Sequence, residues 1–553
     1  MEYEAAIEGV YGNGAFHMAF MFFTALINFN IGCEFQSVVF LDFVPKFTCL
    51  DVHPKSNFSE HSQLNNSSQI NFFHLRKGPD QCFIGNTSVK CKNFHFDNSL
   101  MNRSLVTDYN LVCDRNYIAK LLTSASLISV ALGHILAAFT DKLSRRKMII
   151  FYTIWEMSCS LAIPFAPNLP LVFLFRILRG FSAPLAYYGS CLLQELLPTD
   201  KRTIYGNLYW ISFSGGYMAS AGLAYWTRDW YLYRLYGLVG LSGYLCLFLI
   251  LPESPRWLCA NGYYEDFRKF LAKIAKWNKV KISDDYLEEA VASAKNLVTK
   301  IPVNSASERD KNVPTNFFRV FYYPNMLKKL GIFCIRVPTV AICYYGLSVN
   351  ANVASDDIFL NVFFMGLAEL FACPFGLLVG RCLNRRMSSV FFNAFIIPCL
   401  LLGPIIRPYS TTANLLIFII GKIMVTTAYN MTVIHMCEVF PTPVRAMGLF
   451  TTLAISCGFS GFAPFINGLD RRHFCLPGLL YSAMCFITGI LVVLYLPDTK
   501  YCPMAQTLEQ AESLYHGNEE EWIEMMLNPQ SVEISIDSDS GLSKNSNDVI
   551  NYL

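Results

Sequence analysis

The run Glu195-Leu196-Leu197-Pro198-Thr199-Asp200-Lys201-Arg202 returns about six apolar segments later as Glu438-Val439-Phe440-Pro441-Thr442-Pro443-Val444-Arg445, with acid, Pro-Thr pair and arginine at the same spacing. Two further pairs keep almost that offset. Asp141-Lys142-Leu143-Ser144-Arg145-Arg146 matches Arg381-Cys382-Leu383-Asn384-Arg385-Arg386, and Leu251-Pro252-Glu253-Ser254 matches Leu496-Pro497-Asp498-Thr499. One such coincidence would be weak. Three in register predict two six-helix halves related by an axis along the membrane normal.

Composition agrees. The chain has 553 residues, 53% hydrophobic and 15% charged, with a mean hydropathy of +0.34, whereas soluble domains carry about 25% charged residues. Apolar stretches begin near Ala15, Tyr117, Met148, Leu169, Ile204, Leu235, Leu330, Ile358, Val390, Ala413, Met447 and Cys475. They predict an all-α membrane protein of about twelve transmembrane helices embedded in the lipid bilayer. The first stretch lacks the basic flank and cleavage site of a signal peptide and reads as a retained helix. A net charge of +3 leaves no basic excess to bind nucleic acid.

The segments fall into an N-terminus with the first span (1–43), a polar loop (44–116), the rest of the N-terminal half (117–258), a linker (259–329), the C-terminal half (330–500) and a tail (501–553). The loop carries sequons at Asn57, Asn65, Asn66, Asn86 and Asn102, and the cysteines Cys49, Cys82, Cys91 and Cys113. Glycosylation needs lumenal exposure, and four cysteines suit two disulfides with three pairings open. The loop therefore reads as extracellular at the plasma membrane, and as the surface through which a homo-oligomer would form. Basic residues in the short loops, including Lys142, Arg145, Arg146, Lys201, Arg202, Arg385 and Arg386, place those loops and both termini in the cytoplasm.

In the linker, Phe267, Phe270, Leu271, Ile274 and Trp277 fall at helical spacing with Arg268, Lys269, Lys273 and Lys276 on the other faces. This reads either as an amphipathic helix against the cytoplasmic membrane face or as a plain linker helix. The tail, rich in Ser, Asp, Glu and Asn from about Ser531, reads as disordered. The remaining cysteines are scattered mostly through spans without a C-x-x-C pair, and neither metal nor cofactor is expected. No phosphate-binding Gly-Lys-Ser/Thr loop, His-Glu-x-x-His pair or Gly-x-Ser-x-Gly elbow points to an enzyme.

The repeated charges, Asp141, Arg145, Arg146, Glu195, Arg202, Glu253, Arg256, Arg385, Arg386, Glu438 and Arg445, all sit at the same ends of spans. Pairs between the halves that form in one state and break in the other would bias a rocking motion. The plainer alternative is that the cations only anchor helix ends.

At these residues the chain resembles the major facilitator superfamily and, within it, the organic cation, carnitine and organic anion transporters of solute carrier family 22. The resemblance extends to Asn110-Leu111-Val112-Cys113-Asp114, Pro252-Glu253-Ser254-Pro255-Arg256-Trp257-Leu258, Tyr344-Tyr345-Gly346-Leu347 and Gly421-Lys422. It implies polyspecific transport of small organic ions by alternating access, without ATP. Ser144 and Asn384 stand where the family has glycine, Arg381 where it has an acid, and Tyr109 where it has tryptophan. In span eleven Cys457 replaces the Asp of cation carriers and the Arg of anion and carnitine carriers, so charge preference does not carry over from that position.

Other intramembrane charges then become candidates, because they are costly in lipid. Glu369 resembles an acid of the cation and carnitine carriers and is the expected substrate carboxylate, unless Arg336 or Lys422 neutralises it. Glu34 would face an entry vestibule, and Glu156 would serve helix packing. The resemblance places Trp210, Phe213, Tyr344 and Tyr429 along the cavity, with Tyr187 and Tyr188 nearby. Such rings attract a substrate cation by about 0.5–2 kcal/mol each. The expected function is transport of organic cations or carnitine-like zwitterions. The rivals are an organic anion exchanger lined by Arg336 and Lys422, and a transport-dead receptor.

Overall fold

The computed structural model describes residues 9–10, 14–49, 82–83, 90–140, 143–197, 199–242, 251–300, 317–349, 357–471, 473–500, 505 and 508–514. The first half contains α1 (Ala15–Leu41), α2 (Leu105–Asp108), α3 (Asn116–Thr140), α4 (Arg145–Ala162), α5 (Leu169–Gly180), α6 (Leu185–Leu196), α7 (Thr199–Thr227) and α8 (Trp230–Ser242). After α9 (Pro255–Ala260), α10 (Tyr264–Trp277) and α11 (Asp284–Lys300), the second half contains α12 (Pro324–Val349), α13 (Ile358–Cys382), α14 (Arg385–Ile406), α15 (Thr411–Val439), α16 (Thr442–Ser460), α17 (Ala463–Asn467) and α18 (Leu476–Tyr495). A short α19 (Leu508–Ser513) follows.

Among the described residues, nine segments are long and apolar enough to cross a membrane. In two of them a pair of helices serves as one span: α5 with α6, and α16 with α17. Pro184, which cannot donate the hydrogen bond needed to continue a helix, sits at the α5/α6 break. The other three positions of the twelve-helix fold belong to α4, α7 and α8. The sequences of α4 and α7 are diluted, by Arg145, Arg146, Lys147 and Glu156 in α4 and by Ser, Thr and Gly in α7, while the described part of α8, Trp230–Ser242, is by itself shorter than a span. Polarity thus lowers the apolar signal of α4 and α7.

The halves meet where α7 packs on α13 and α3 on α16. Within the first half, α1 and α7 approach backbone to backbone. A Cβ at Gly32 would collide with the Phe213 carbonyl, and one at Gly216 with the Phe29 carbonyl. Small residues allow such contact between membrane helices, where packing replaces the hydrophobic drive.

At one end of the bundle, β1 (Phe47–Cys49) pairs antiparallel with β2 (Phe94–Phe96). Of the three pairings open from sequence, the structure forms Cys49–Cys91 and Cys82–Cys113. The loop is also tied to the bundle by the Trp230 indole, which donates to Asp108 Oδ2 at 2.8 Å. Non-reducing peptide mapping should recover these two cross-links, and a Cys49–Cys113 peptide would contradict the fold of the loop. Asn102 is exposed; the sequons at Asn57, Asn65, Asn66 and Asn86 lie outside the described residues.

At the opposite, linker end, the amphipathic helix of the linker is α10, but protein covers most of its apolar face, leaving Trp277 exposed at its end. Phe267, Leu271, Ile274 and Ala275 are buried against Val10, Phe16, Leu258 and α11. Each large side chain so enclosed contributes about 1.5–3 kcal/mol, so lipid is not needed to cover this face. Buried Asn278 joins the unit to the start of α1. Its Oδ1 accepts from Phe16 N at 2.8 Å, and its Nδ2 donates to Val10 O at 2.8 Å.

The expected disorder of 501–553 also needs correction at its start. Ala505, Leu508, Ala511 and Leu514 are buried in the second-half core. Glu512 caps α12, accepting from Asn325 N and Met326 N at 2.8 Å each, while Lys329 Nζ donates to the Ala511 carbonyl at 2.6 Å. Acid at a helix start and cation at a helix end both complement the helix dipole. The Ser/Asp-rich stretch lies outside the described residues.

Candidate functional site

Near the middle of the second half, α13 and α15 bring Glu369 and Lys422 together, with Oε1 and Nζ 2.9 Å apart. Lys422 Nζ also donates to Ser348 Oγ at 2.7 Å, and Thr426 Oγ1 donates to Glu369 Oε1 at 3.2 Å. The ammonium lies 3.4 Å from the Tyr344 ring centroid and 6.0 Å from that of Tyr217. Glu369 is therefore not an open carboxylate. Of the two partners considered from sequence the structure selects Lys422; Arg336 instead donates to Asn393 and Thr488, at 3.3 Å each.

The expected aromatic residues form one continuous arc beside this pair. Ring centroids step from Tyr187 to Trp210 at 5.9 Å, from Trp210 to Phe213 at 6.5 Å, and from Phe213 to Phe35 at 5.7 Å. From Phe35 the arc crosses to Tyr344 of the other half at 6.2 Å, and Tyr344 stacks on Tyr429 at 6.0 Å. These six rings are only partly buried. Phe35, the bridge between the halves, was not singled out from sequence, because one Phe in an apolar helix carries no pattern. Cys457 is 3% exposed and interacts with Tyr345, so it presents little surface of its own. Tyr188 is packed into the first-half core, stacked on Tyr152.

A second buried cluster lies in the first half. Glu34 of α1 accepts from Arg179 Nη1 of α5 at 2.7 Å and is ion-paired with Arg234 of α8. Arg179 Nε is 3.5 Å from Glu156 of α4, which also accepts from Ser182. Glu34 thus closes a helix-packing network and does not face a vestibule, while Glu156 lies in the same network. Towards the disulfide loop, Asp42 accepts from both terminal nitrogens of Arg176, at 2.6 and 2.9 Å. The missed residues, Arg176, Arg179 and Arg234, had a usable signal, since a cation inside an apolar run needs a partner.

Among the described residues, the repeated helix-end charges form pairs inside each half. In the first, Glu195 Oε2 accepts from Ser254 Oγ at 2.5 Å and Oε1 lies 3.9 Å from Arg145 Nε, while Glu253 accepts from Ser144. In the second, Glu438 accepts from Thr499 at 2.6 Å and from Arg385 at 2.6 and 2.9 Å, while Asp498 accepts from Arg385 N at 3.3 Å. Corresponding residues of the repeat therefore make corresponding bonds. Their immediate effect is to fasten three helix ends of one half together. Arg445 Nε donates to Phe440 O at 3.1 Å, Arg146 is exposed, and Arg386 is partly buried at the start of α14. Asp141 and the side chains of Arg202 and Arg256 lie outside the described residues.

A family profile described as "Sugar (and other) transporter" matches residues 77–515, most of the chain. The chain belongs to this transporter family. An organic cation transporter-like protein of Drosophila melanogaster is 29% identical over 433 residues, 77% of this chain and 76% of its own. The human organic cation/carnitine transporter 2 is 26% identical over 426 residues, 75% of this chain and 73% of its own. Among solved structures, the inward-open xylose transporter XylE from E. coli superposes with a TM-score of 0.60 at 14% identity, covering 90% of this chain and 100% of XylE. That likeness shows the fold: twelve helices in two halves, the major facilitator architecture. This member of the sugar (and other) transporter family is a membrane transporter, not an enzyme.

Proposed function

We propose that this transporter carries small zwitterions or organic cations of the carnitine type by alternating access, with Glu369, Lys422 and the aromatic arc as the substrate site. The observation that carries this reading is the Glu369–Lys422 pair set against rings contributed by both halves. A buried ion pair is nearly neutral from outside, so it has little preference for net charge. A zwitterion can replace both partners at once, its ammonium meeting Glu369 and its carboxylate Lys422, and leave no charge unpaired. Tyr344, Tyr429, Trp210, Phe213, Phe35 and Tyr187 would hold the alkylammonium end. Both named relatives point the same way, since one name includes carnitine and both include organic cations. An anion exchanger is disfavoured because Arg336, the second cation it would use, is bound to Asn393 and Thr488.

In this reading the protein is a multi-pass protein of the plasma membrane, with the disulfide loop outside and the linker and both termini in the cytoplasm. Labelled uptake in expressing cells tests the substrate class. Accumulation of carnitine or tetraethylammonium is expected, with the tetraethylammonium signal, which carries net charge, responding to membrane potential. Trans-stimulation by dicarboxylates with no carnitine signal would overturn the reading.

A further inference from the structure

Arg336 lies deep in the second half, 1% exposed, on the linker side of the Glu369–Lys422 pair along α12 and α15. One terminal nitrogen, Nη1, is held by the neutral oxygens of Asn393 and Thr488. Its Nε and Nη2 have no hydrogen-bond partner, and among the described residues no carboxylate forms an ion pair with it. An uncompensated buried guanidinium is costly, because it loses hydration and gains no counter-charge.

The guanidinium borders a small cavity of about 10 Å³ that is also lined by Arg385, Ser389, Thr432 and His435, with Phe333 and Phe392 among its apolar walls. Ser389 Oγ is likewise buried and without a partner. Of the two arginines on the cavity, Arg385 is neutralised by Glu438 and Arg336 is not. The space admits a single small species such as a water or a monatomic ion. A water would satisfy the open N–H groups but leave the charge; a monatomic anion satisfies both.

We infer that this cavity is a binding site for a single halide ion, held by Arg336 with Ser389 as hydroxyl donor. Because Arg385 lines the same cavity and clamps Glu438 at the end of α15, an anion here also draws on the repeated charge network. The site is separate from the aromatic arc and does not depend on what the transporter carries.

The test uses the purified full-length protein in detergent. Chloride replaces gluconate at constant ionic strength, and the apparent Tm is followed against chloride concentration. A saturable rise of roughly 2 °C is expected, since a ligand that binds only the folded state raises stability by mass action. Bromide should reproduce the rise. Arg336→Met should abolish it, and Ser389→Leu, which fills the cavity, should do the same if the arginine variant does not fold. A Tm independent of chloride means that water occupies the cavity and overturns the proposal. A chloride response that persists in the variants moves any halide site elsewhere and overturns it equally.

Discussion

Glu369→Gln is expected to lower carnitine uptake about 10- to 100-fold, the equivalent of losing a charge-assisted contact of about 1.5–3 kcal/mol. The same change also leaves Lys422, which is fully enclosed, without its counter-charge. Breaking a buried pair by removing one partner costs about 3–5 kcal/mol of stability. A fall in uptake by the single variant therefore has two causes, one at the substrate and one in the fold. The double variant Glu369→Gln/Lys422→Met separates them, since it removes both charges and leaves no orphan. Thermal stability and surface abundance of the double variant should return close to wild type, while uptake per molecule at the surface stays at the level of the single variant. If uptake recovers together with stability, the pair is only a packing device and the substrate site lies elsewhere along the arc.

The repeat Glu-x-x-Pro-Thr-x-x-Arg made the two-half architecture legible from sequence, because duplicated halves leave duplicated helix ends. The partners of those ends were not legible. Charge type says that Arg385 needs an acid, but Glu438 of its own half and an acid of the other half satisfy that need equally on paper. The bidentate 2.6 and 2.9 Å contacts decide it. The aromatic arc was readable as a set drawn from several helices, yet Phe35, which joins the halves, was indistinguishable from lipid-facing phenylalanines such as Phe22 until α1 was placed. Periodicity likewise predicted the apolar face of α10 without saying what covers it. Composition decides whether a face is buried, and only the path of the chain decides against what.

Glu34→Gln is expected to be the most damaging single substitution in the first half. Glu34 is the one described carboxylate ion-paired with Arg234, which is 1% exposed and has Nε and Nη2 already without partners. Arg179 would keep Glu156 at 3.5 Å, but Arg234 would become a buried charge with no acid. The expected loss of about 3–5 kcal/mol is a large part of the 5–15 kcal/mol that typically separates folded from unfolded protein. Most of the variant should fail to reach the cell surface, and what is purified should melt well below wild type. Adding Arg234→Met removes the orphan and should restore most of the stability. Glu156→Gln is the control, because the amide can still accept from Ser182 and Arg179 retains Glu34; its loss should be clearly smaller. Equal melting temperatures for Glu34→Gln and wild type would show that the network bears no weight. The mechanical consequence goes beyond stability. Glu34, Glu156, Arg179 and Arg234 come from α1, α4, α5 and α8, so their pairing makes four helices one body, and a half that is one body can rock against the other without deforming around its substrate.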